Sequence, residues 1–127
     1  MVQSLSTQVQ FAKSTQWMTV CSLDAIVPNT GINALLGTEQ VAIFRIGDTD
    51  EVYAVGNFDP FSKAFVISRG IVGDRKGVLK VASPIYKQNF NLKTGTCLDD
   101  ALISIPVYPA RVVDHQVQVG TSCSVEE

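Results

Sequence analysis

The chain has 127 residues, of which 46% are hydrophobic and 17% are charged, and its net charge is −2. This length suits one domain, which can bury roughly two-thirds of the surface that the unfolded chain exposes. Because there is no basic surplus, we expect neither a nucleic-acid partner nor an anionic membrane partner. Apolar runs are only a few residues long, so no segment is expected to span a bilayer.

The two ends of the chain are polar and carry little periodic signal. The N-terminus lacks the charged region and apolar core of a secretory signal. We interpret residues 1–15 as a flexible N-terminal extension and residues 121–127 as a flexible C-terminal tail. The single domain is then expected to cover residues 16–120.

The three cysteines are Cys21, Cys97 and Cys123. They form no CxxC pair, and an odd number cannot form a complete disulfide framework. We therefore interpret them as reduced thiols in a cytoplasmic protein, each serving as a small hydrophobic residue or an incidental surface thiol.

Short apolar runs separated by turn residues predict an antiparallel β sandwich or barrel. The strand candidates lie at residues 17–21, 32–36, 39–46, 51–55, 78–81, 83–86, 89–92, 103–107, 111–113 and 116–119. A short turn or helical piece is expected from Asp24. Residues 47–50 and 114–115 predict hairpin turns, and residues 93–96 predict a turn with a glycine at positive φ. Residues 57–76 are interpreted as a long packed loop.

Motifs for nucleotide binding and catalysis are absent from the sequence. Neither GxGxxG nor GxxxxGK[ST] occurs. The one histidine, His115, is predicted at a hairpin tip, where a solvated side chain is the simpler interpretation than a member of a catalytic triad. Asp99 and Asp100 are adjacent, and neighbouring strand residues point to opposite faces, so we interpret them as turn residues. We therefore predict no catalytic residue on this chain.

Two segments resemble the ligand loops of a Rieske domain. They are GNFDP at residues 56–60 and SPIYKQNFNL at residues 83–92, the latter followed by Thr94-Gly95. In that family the loops supply Cys-x-His and Cys-x-x-His to a [2Fe–2S] cluster. The corresponding positions here hold Asn57, Asp59, Ser83 and Tyr86. The resemblance covers about residues 16–120 and implies a Rieske-like antiparallel sandwich or barrel of short strands.

The residues at the ligand positions cannot hold a Rieske cluster. Such a cluster needs two thiolates and two imidazoles, whereas this chain has one histidine and no cysteine in either segment. Serine and tyrosine ligate iron only as deprotonated oxygens, and asparagine is a poor ligand. We expect no cofactor and no metal on this chain. In Rieske proteins the two ligand loops form one end, or tip, of the domain. We expect the side chains of Asn57, Asp59, Ser83 and Tyr86 to hydrogen-bond across this tip instead.

The stretch NFDPFSKAFVISRGIVGD at residues 57–74 narrows the resemblance. Together with residues 83–92 and Ile105-Pro106-Val107, it resembles the small-subunit family of soluble NAD(P)H-dependent nitrite reductases. The resemblance implies a non-catalytic, cytoplasmic subunit, inactive alone, in a complex that reduces nitrite to ammonium with NADH or NADPH. Siroheme, an iron–sulfur cluster, FAD and the NAD(P)H site would lie on a partner large subunit. The alternative is a free-standing, cluster-free Rieske-like domain that binds a ligand or a protein.

A mixed aromatic and arginine surface is the candidate contact with the large subunit. Its members are Phe58, Phe61, Phe65, Arg69 and Arg75. Aromatic residues and arginine are enriched at the centres of protein interfaces. The alternative is that the aromatic rings pack the long loop onto its own sheet.

Overall fold

The chain forms short antiparallel strands joined mostly by tight turns. The computed structural model describes residues 14–123. The strands are β1 Ser14–Ser22, β2 Gly31–Leu36, β3 Glu39–Arg45, β4 Val52–Gly56, β5 Phe58–Asp59, β6 Ala64–Phe65, β7 Ile71–Arg75, β8 Val78–Ala82, β9 Asn89–Asn91, β10 Val107–Tyr108, β11 Ala110–Val113 and β12 Gln116–Cys123. Short 3-10 helices cover Leu23–Ala25 and Ile67–Arg69. No helix between residues 14 and 123 has the length and hydropathy needed to cross a bilayer.

The strands form three main sheets and one two-stranded ribbon. The first sheet has the spatial order β1-β12-β11, the second β10-β4-β3-β2 and the third β7-β8-β9, and β5 pairs with β6 in the ribbon. These pairings are all antiparallel. This arrangement confirms the predicted all-β antiparallel fold.

Strand β3 is the centre of the hydrophobic core because both of its faces are buried. Side chains alternate across a strand, so Val41 and Ile43 point to one face, and Ala42 and Phe44 point to the other. The first face packs with Val117 and other residues in one cluster, and the second face packs in a separate cluster. Full burial of each large apolar side chain contributes about 1.5–3 kcal/mol to the free energy of unfolding. The second sheet is therefore the middle layer of the domain.

The second buried cluster packs the third sheet against the middle sheet. It contains Ala42, Phe44, Val55, Ile67, Val81, Phe90, Leu92, Cys97 and Ile105. Val81 comes from β8 and Phe90 comes from β9, so the hairpin β7–β8 and strand β9 are held on the middle layer. The candidate functional residues lie in the segment that connects the middle sheet to β7 and in the segment that connects β8 to β9.

The turns predicted from glycine, asparagine and aspartate patterns are confirmed. Asp114 and His115 have φ angles of 51° and 66°, the left-handed pair that a two-residue hairpin turn requires. Gly95 has a φ of 80°, as expected for the predicted turn at residues 93–96. The short helical piece near Asp24 is the 3-10 helix Leu23–Ala25, and the Ser22 hydroxyl accepts a hydrogen bond from the Asp24 backbone N–H.

Three predicted elements differ from the structure. Residues 57–76 are not a continuous loop, since they contain β5, β6, a 3-10 helix and β7. Residues 83–86 form a turn rather than a strand, because Pro84 has no N–H to donate and the Lys87 N–H bonds to the Ser83 carbonyl instead. Residues 103–107 are mostly irregular, with an isolated bridge from Ser104 to Thr96 before β10 begins.

Strand pairing at the ends extends beyond residues 16–120. Ser14 and Thr15 pair with Cys123 and Ser122, so these residues belong to the first sheet. The expected flexible segments otherwise fall on residues 1–13 and 124–127, which lie outside the described residues.

Two glycines at positive φ provide a matched test of close packing. A Cβ at Gly95 would lie 2.1 Å from the Ile105 carbonyl oxygen, whereas a Cβ at Gly77 would have no atom within 4 Å. We expect Gly77→Ala to lower the free energy of unfolding by about 1 kcal/mol through backbone conformation alone. We expect Gly95→Ala to lower it by about 3 kcal/mol or more. Urea denaturation measures both values, and equal losses would contradict the packing argument.

Candidate functional site

Two loops at one end of the domain hold the residues at the former ligand positions. The first loop, residues 57–70, connects β4 to β7, and the second loop, residues 83–88, connects β8 to β9. Asn57, Asp59 and Ser83 are buried within them. Because a buried polar group must be hydrogen-bonded to be tolerated, their partners determine how the loops are held together.

Asn57 fixes the two ends of the first loop to each other and to the middle sheet. Its side-chain oxygen accepts a hydrogen bond of 2.7 Å from the Ser68 N–H. Its side-chain nitrogen donates to the Gln40 side chain at 3.1 Å, and its backbone N–H donates to the Gln40 carbonyl at 3.0 Å. The Ile67 N–H closes the loop on the Asn57 carbonyl at 3.1 Å. The position of a former ligand therefore serves as a loop clamp.

Asp59 joins the first loop to the second. One carboxylate oxygen accepts hydrogen bonds from the Ser83 hydroxyl, at 2.5 Å, and from the Ser62 hydroxyl, at 2.9 Å. The other oxygen accepts from the Phe61 N–H at 2.9 Å, which makes an Asx turn. Asp59 and Ser83 are both fully buried. Two positions that would each bind a metal in a Rieske protein are thus bonded directly to each other.

The Asp59 carboxylate is ionised in this setting. Burial raises its pKa, but hydrogen bonds donated by Ser83, by the Phe61 N–H and by Ser62 act in the opposite direction. The result is a pKa below the ordinary value of 3.8. A buried negative charge with three donors is therefore the centre of the site.

Tyr86 does not take part in this network. Its side chain is 62% exposed, and no hydrogen bond to its hydroxyl is found among the described residues. The expectation that all four former ligand positions bond across the tip is therefore wrong for Tyr86. The reason is the turn at Pro84, which carries the tyrosine ring outward while Ser83 points inward. The expectation is also wrong for Asn57, which bonds within its own loop and to β3, so only Asp59 and Ser83 bond between the loops.

The aromatic and arginine residues singled out in the sequence occupy different environments. Phe58 and Phe65 are exposed and form a pair with ring centroids 5.1 Å apart. Phe61 packs on Phe90 of the second buried cluster, with centroids 6.1 Å apart. Arg75 is held at 3.3 Å by Asp99, and Arg69 is exposed.

The remaining candidate residues have structural roles. The side chain of Asp99 also accepts a hydrogen bond of 2.8 Å from the Asn89 N–H, and this bond lowers the pKa of its carboxyl group. Asp100 accepts from the Leu102 N–H at 3.1 Å, and His115 lies 3.0 Å from Asp24 in the β11–β12 turn. The Asp100 contact stabilises a turn, as the sequence pattern predicted. Asp99 instead joins β7 to β9, and His115, which is exposed as predicted, contacts the 3-10 helix that contains Asp24.

Comparison with known proteins identifies the family. The family described as the Rieske-like [2Fe-2S] domain matches residues 16–120. The chain is 49% identical over 104 residues to the nitrite reductase (NADH) small subunit of Escherichia coli, spanning 82% of this chain and 96% of that relative. The chain belongs to the nitrite reductase small-subunit family. The solution structure of the Escherichia coli protein NirD has a TM-score of 0.80 to this fold at 47% identity, covering 85% of this chain and 98% of that one.

This chain also resembles part of a longer protein. A nitrite reductase [NAD(P)H] large subunit from Klebsiella oxytoca is 43% identical over 107 residues, which cover 84% of this chain and 11% of that protein. A domain similar to the small subunit is therefore present within a single polypeptide with large-subunit sequence in that organism.

The residues of this small-subunit domain do not fit the [2Fe–2S] cluster that the wider family name implies. Asn57 is used in the loop clamp, and Asp59 and Ser83 bond to each other. Cys97 is buried in the second cluster, and Cys21 lies on β1, where burial raises the pKa of its thiol. Within the described part of the chain, no group of three or more histidine, cysteine or acidic residues could hold a metal ion. The Cys123 side chain lies outside that part.

Several members of the network were not identified from the sequence. Gln40 lies 17 residues before Asn57 and approaches it only because β3 pairs with β4. Ser62 could have been recognised, because an aspartate followed by proline with a serine three residues later favours a hydrogen-bonded turn. Nothing in the sequence indicated that Lys63 in the first loop and Lys87 in the second would have positive φ angles, which lysine rarely adopts.

The ionised Asp59 predicts how stability depends on pH. Because its pKa in the folded state lies below the unfolded value of 3.8, its contribution is complete above about pH 5 and is lost as the pH falls through the folded pKa. We expect Asp59→Asn to lower the free energy of unfolding at pH 7 by about 2 kcal/mol. The variant should also lose less stability between pH 5 and pH 2. Asp50→Asn, an exposed turn residue, is the control, and identical pH profiles of Asp59→Asn and the wild type would contradict the assignment.

Proposed function

We propose that this chain is the non-catalytic small subunit of a cytoplasmic nitrite reductase complex that reduces nitrite to ammonium with NADH or NADPH. In this proposal siroheme, an iron–sulfur cluster, FAD and the nicotinamide site are all on the large subunit. The chain itself carries no cofactor and has no activity alone. Its contribution is to bind the large subunit.

The hydrogen bond between Asp59 and Ser83 is the observation that carries this proposal. A Rieske domain transfers electrons only if its two loops hold iron, and here the same two loops are closed by a carboxylate and a hydroxyl. The rest of the loop framework is retained, including buried Phe90, Leu92 and Gly95. A scaffold that keeps its shape without a redox site supports a role in assembly.

The Klebsiella oxytoca relative supports the choice of partner. When a domain occurs inside one polypeptide with a second sequence, the two are held together at every stage of folding and function. A separate small subunit must achieve the same proximity by non-covalent binding. We therefore assign the large subunit as the binding partner of this chain.

A free-standing ligand-binding domain is less well supported. Its ligand would be expected in the space left by the lost cluster, but Asp59 and Ser83 are in direct contact there. Two cavities of about 360 and 370 Å³ lie elsewhere, lined by residues such as Tyr53 and Tyr108 or Met18 and Leu35. Neither is lined by residues of the first or second loop.

Reconstitution tests the proposed function. The chain and the large subunit of the same organism are purified separately and then mixed. We expect a complex on size-exclusion chromatography and nitrite-dependent NADH or NADPH oxidation by the complex, because the cofactors are assigned to the large subunit. The chain alone should show no such oxidation. Failure of the two proteins to associate, or turnover by the small chain without detectable large subunit, would overturn the proposal.

The absence of cluster ligands gives a direct analytical prediction. The chain purified from iron-replete cells should be colourless, because no pair of cysteines and pair of histidines is available in the loops. Iron and acid-labile sulfide are measured beside a Rieske ferredoxin prepared in the same way. Near-stoichiometric iron and sulfide with a visible absorption band would contradict the assignment of all cofactors to the partner.

A further inference from the structure

The two loops contain matched turns. Residues 59–63 read Asp-Pro-Phe-Ser-Lys and residues 83–87 read Ser-Pro-Ile-Tyr-Lys. In each turn the fifth residue donates its backbone N–H to the carbonyl of the first, at 2.8 Å in one and 3.1 Å in the other. The first residues of the two turns are Asp59 and Ser83, which bond to each other. The turns are therefore joined at their starts and end at equivalent positions.

Both turns end on a lysine in the left-handed conformation. The φ angle is 61° at Lys63 and 64° at Lys87. Glycine adopts this conformation without steric cost, and asparagine tolerates it better than lysine does. In both turns this conformation accompanies the hydrogen bond from the fifth residue to the first, so the two lysines leave their turns in the same way. Two cationic side chains are thus presented at matched places on the same tip.

The tip is basic although the chain as a whole is acidic. In the two loops the charged residues are Lys63, Arg69, Lys87 and Asp59. The three cations are exposed, whereas the Asp59 carboxylate is fully buried and hydrogen-bonded. The Lys87 ammonium also donates to the Pro84 carbonyl at 2.9 Å, and no ion pair to Lys63 or Arg69 is found in residues 14–123.

Apolar side chains are exposed beside these cations. Phe58 is 39% exposed, Phe65 54%, Ile85 46% and Tyr86 62%. Phe58 and Phe65 pair with each other in the first loop, and Ile85 and Tyr86 are exposed in the second, so both of the loops that Asp59 and Ser83 join contribute exposed apolar side chains. Exposed apolar residues that cluster with cations are characteristic of interaction surfaces.

We propose that this tip is the docking surface for the large subunit, and that the partner presents an apolar recess bordered by carboxylates. This inference rests on the proposed function and specifies the surface that it uses. Phe58, Phe65, Ile85 and Tyr86 fill the recess, while Lys63, Arg69 and Lys87 face the carboxylates. Phe61 and Arg75, which the sequence also suggested, are not part of it because they are engaged with Phe90 and Asp99.

Lys76 provides a matched control for the lysines of the tip. It is also exposed and left-handed, with a φ of 52°, but it lies in the turn between β7 and β8. That turn is at the other end of the hairpin from Ile71 and Ala82, which adjoin the two loops. Lys76 therefore matches the tip lysines in charge and in backbone conformation but lies outside the proposed surface. A substitution there shows the effect of losing a left-handed lysine without altering that surface.

The test measures the affinity of the full chain for the separately purified large subunit by biolayer interferometry. Combined Lys63→Glu, Arg69→Glu and Lys87→Glu substitutions should weaken binding by about tenfold or more. Phe65→Ala should also weaken it, and Lys76→Glu should not. Wild-type affinity should fall with added salt, because exposed charges are screened.

Glycine substitutions separate binding from folding. Lys63→Gly and Lys76→Gly both relieve a left-handed lysine, so each should leave the melting temperature unchanged or raised. Only Lys63→Gly should weaken binding to the large subunit. If the wild type binds while all tip variants retain its affinity, or Lys76→Glu weakens binding equally, this docking surface is wrong and the proposed function stands. If the wild type does not bind, both fail.

Discussion

The hydrogen bond between Asp59 and Ser83 is the contact on which the tip of this domain depends. In a Rieske protein the equivalent loops are tied by metal, which contributes stability directly. Here a buried carboxylate with three donors ties them, and a second buried polar residue, Asn57, closes the first loop on the middle sheet. Each buried polar group in this network has a partner, so hydrogen bonds within the two loops and to the middle sheet hold the loops in this arrangement.

Most of the fold could be predicted because its signals are local. The run Val41-Ala42-Ile43-Phe44 predicts a strand, and the Asp114-His115 pair predicts a two-residue turn. Strand β7 was missed because Gly73, Asp74 and Arg75 break the alternation of apolar and polar residues. Its pairing with β8 overrides this weak local preference, since Val72 and Val81 lie opposite each other in the sheet. The turn at residues 83–86 was also missed, although Pro84 was a signal against a strand.

The site was predictable as far as the resemblance reached. Asp59 and Ser83 are brought together as expected, because the loop framework matches that of the Rieske family. Asn57 is also buried, but it bonds within its own loop and to β3. Their bonding partners depend on pairing between strands distant in sequence, as the contact from Gln40 to Asn57 shows. Short matched turns are also hard to recognise beforehand, since two pentapeptides that share proline and lysine carry little information until their ends are seen to bond.

The burial of β3 on both faces ties the two halves of the domain to one strand. Val41 and Ile43 complete one core while Ala42 and Phe44 complete the other. Neither half can open without exposing apolar surface of this strand, so the domain unfolds as one cooperative unit. The amide hydrogens of β3 should then exchange with solvent only through global unfolding. A partner bound at the tip would slow exchange throughout the middle sheet, because binding to the folded state alone lowers the population of the unfolded state.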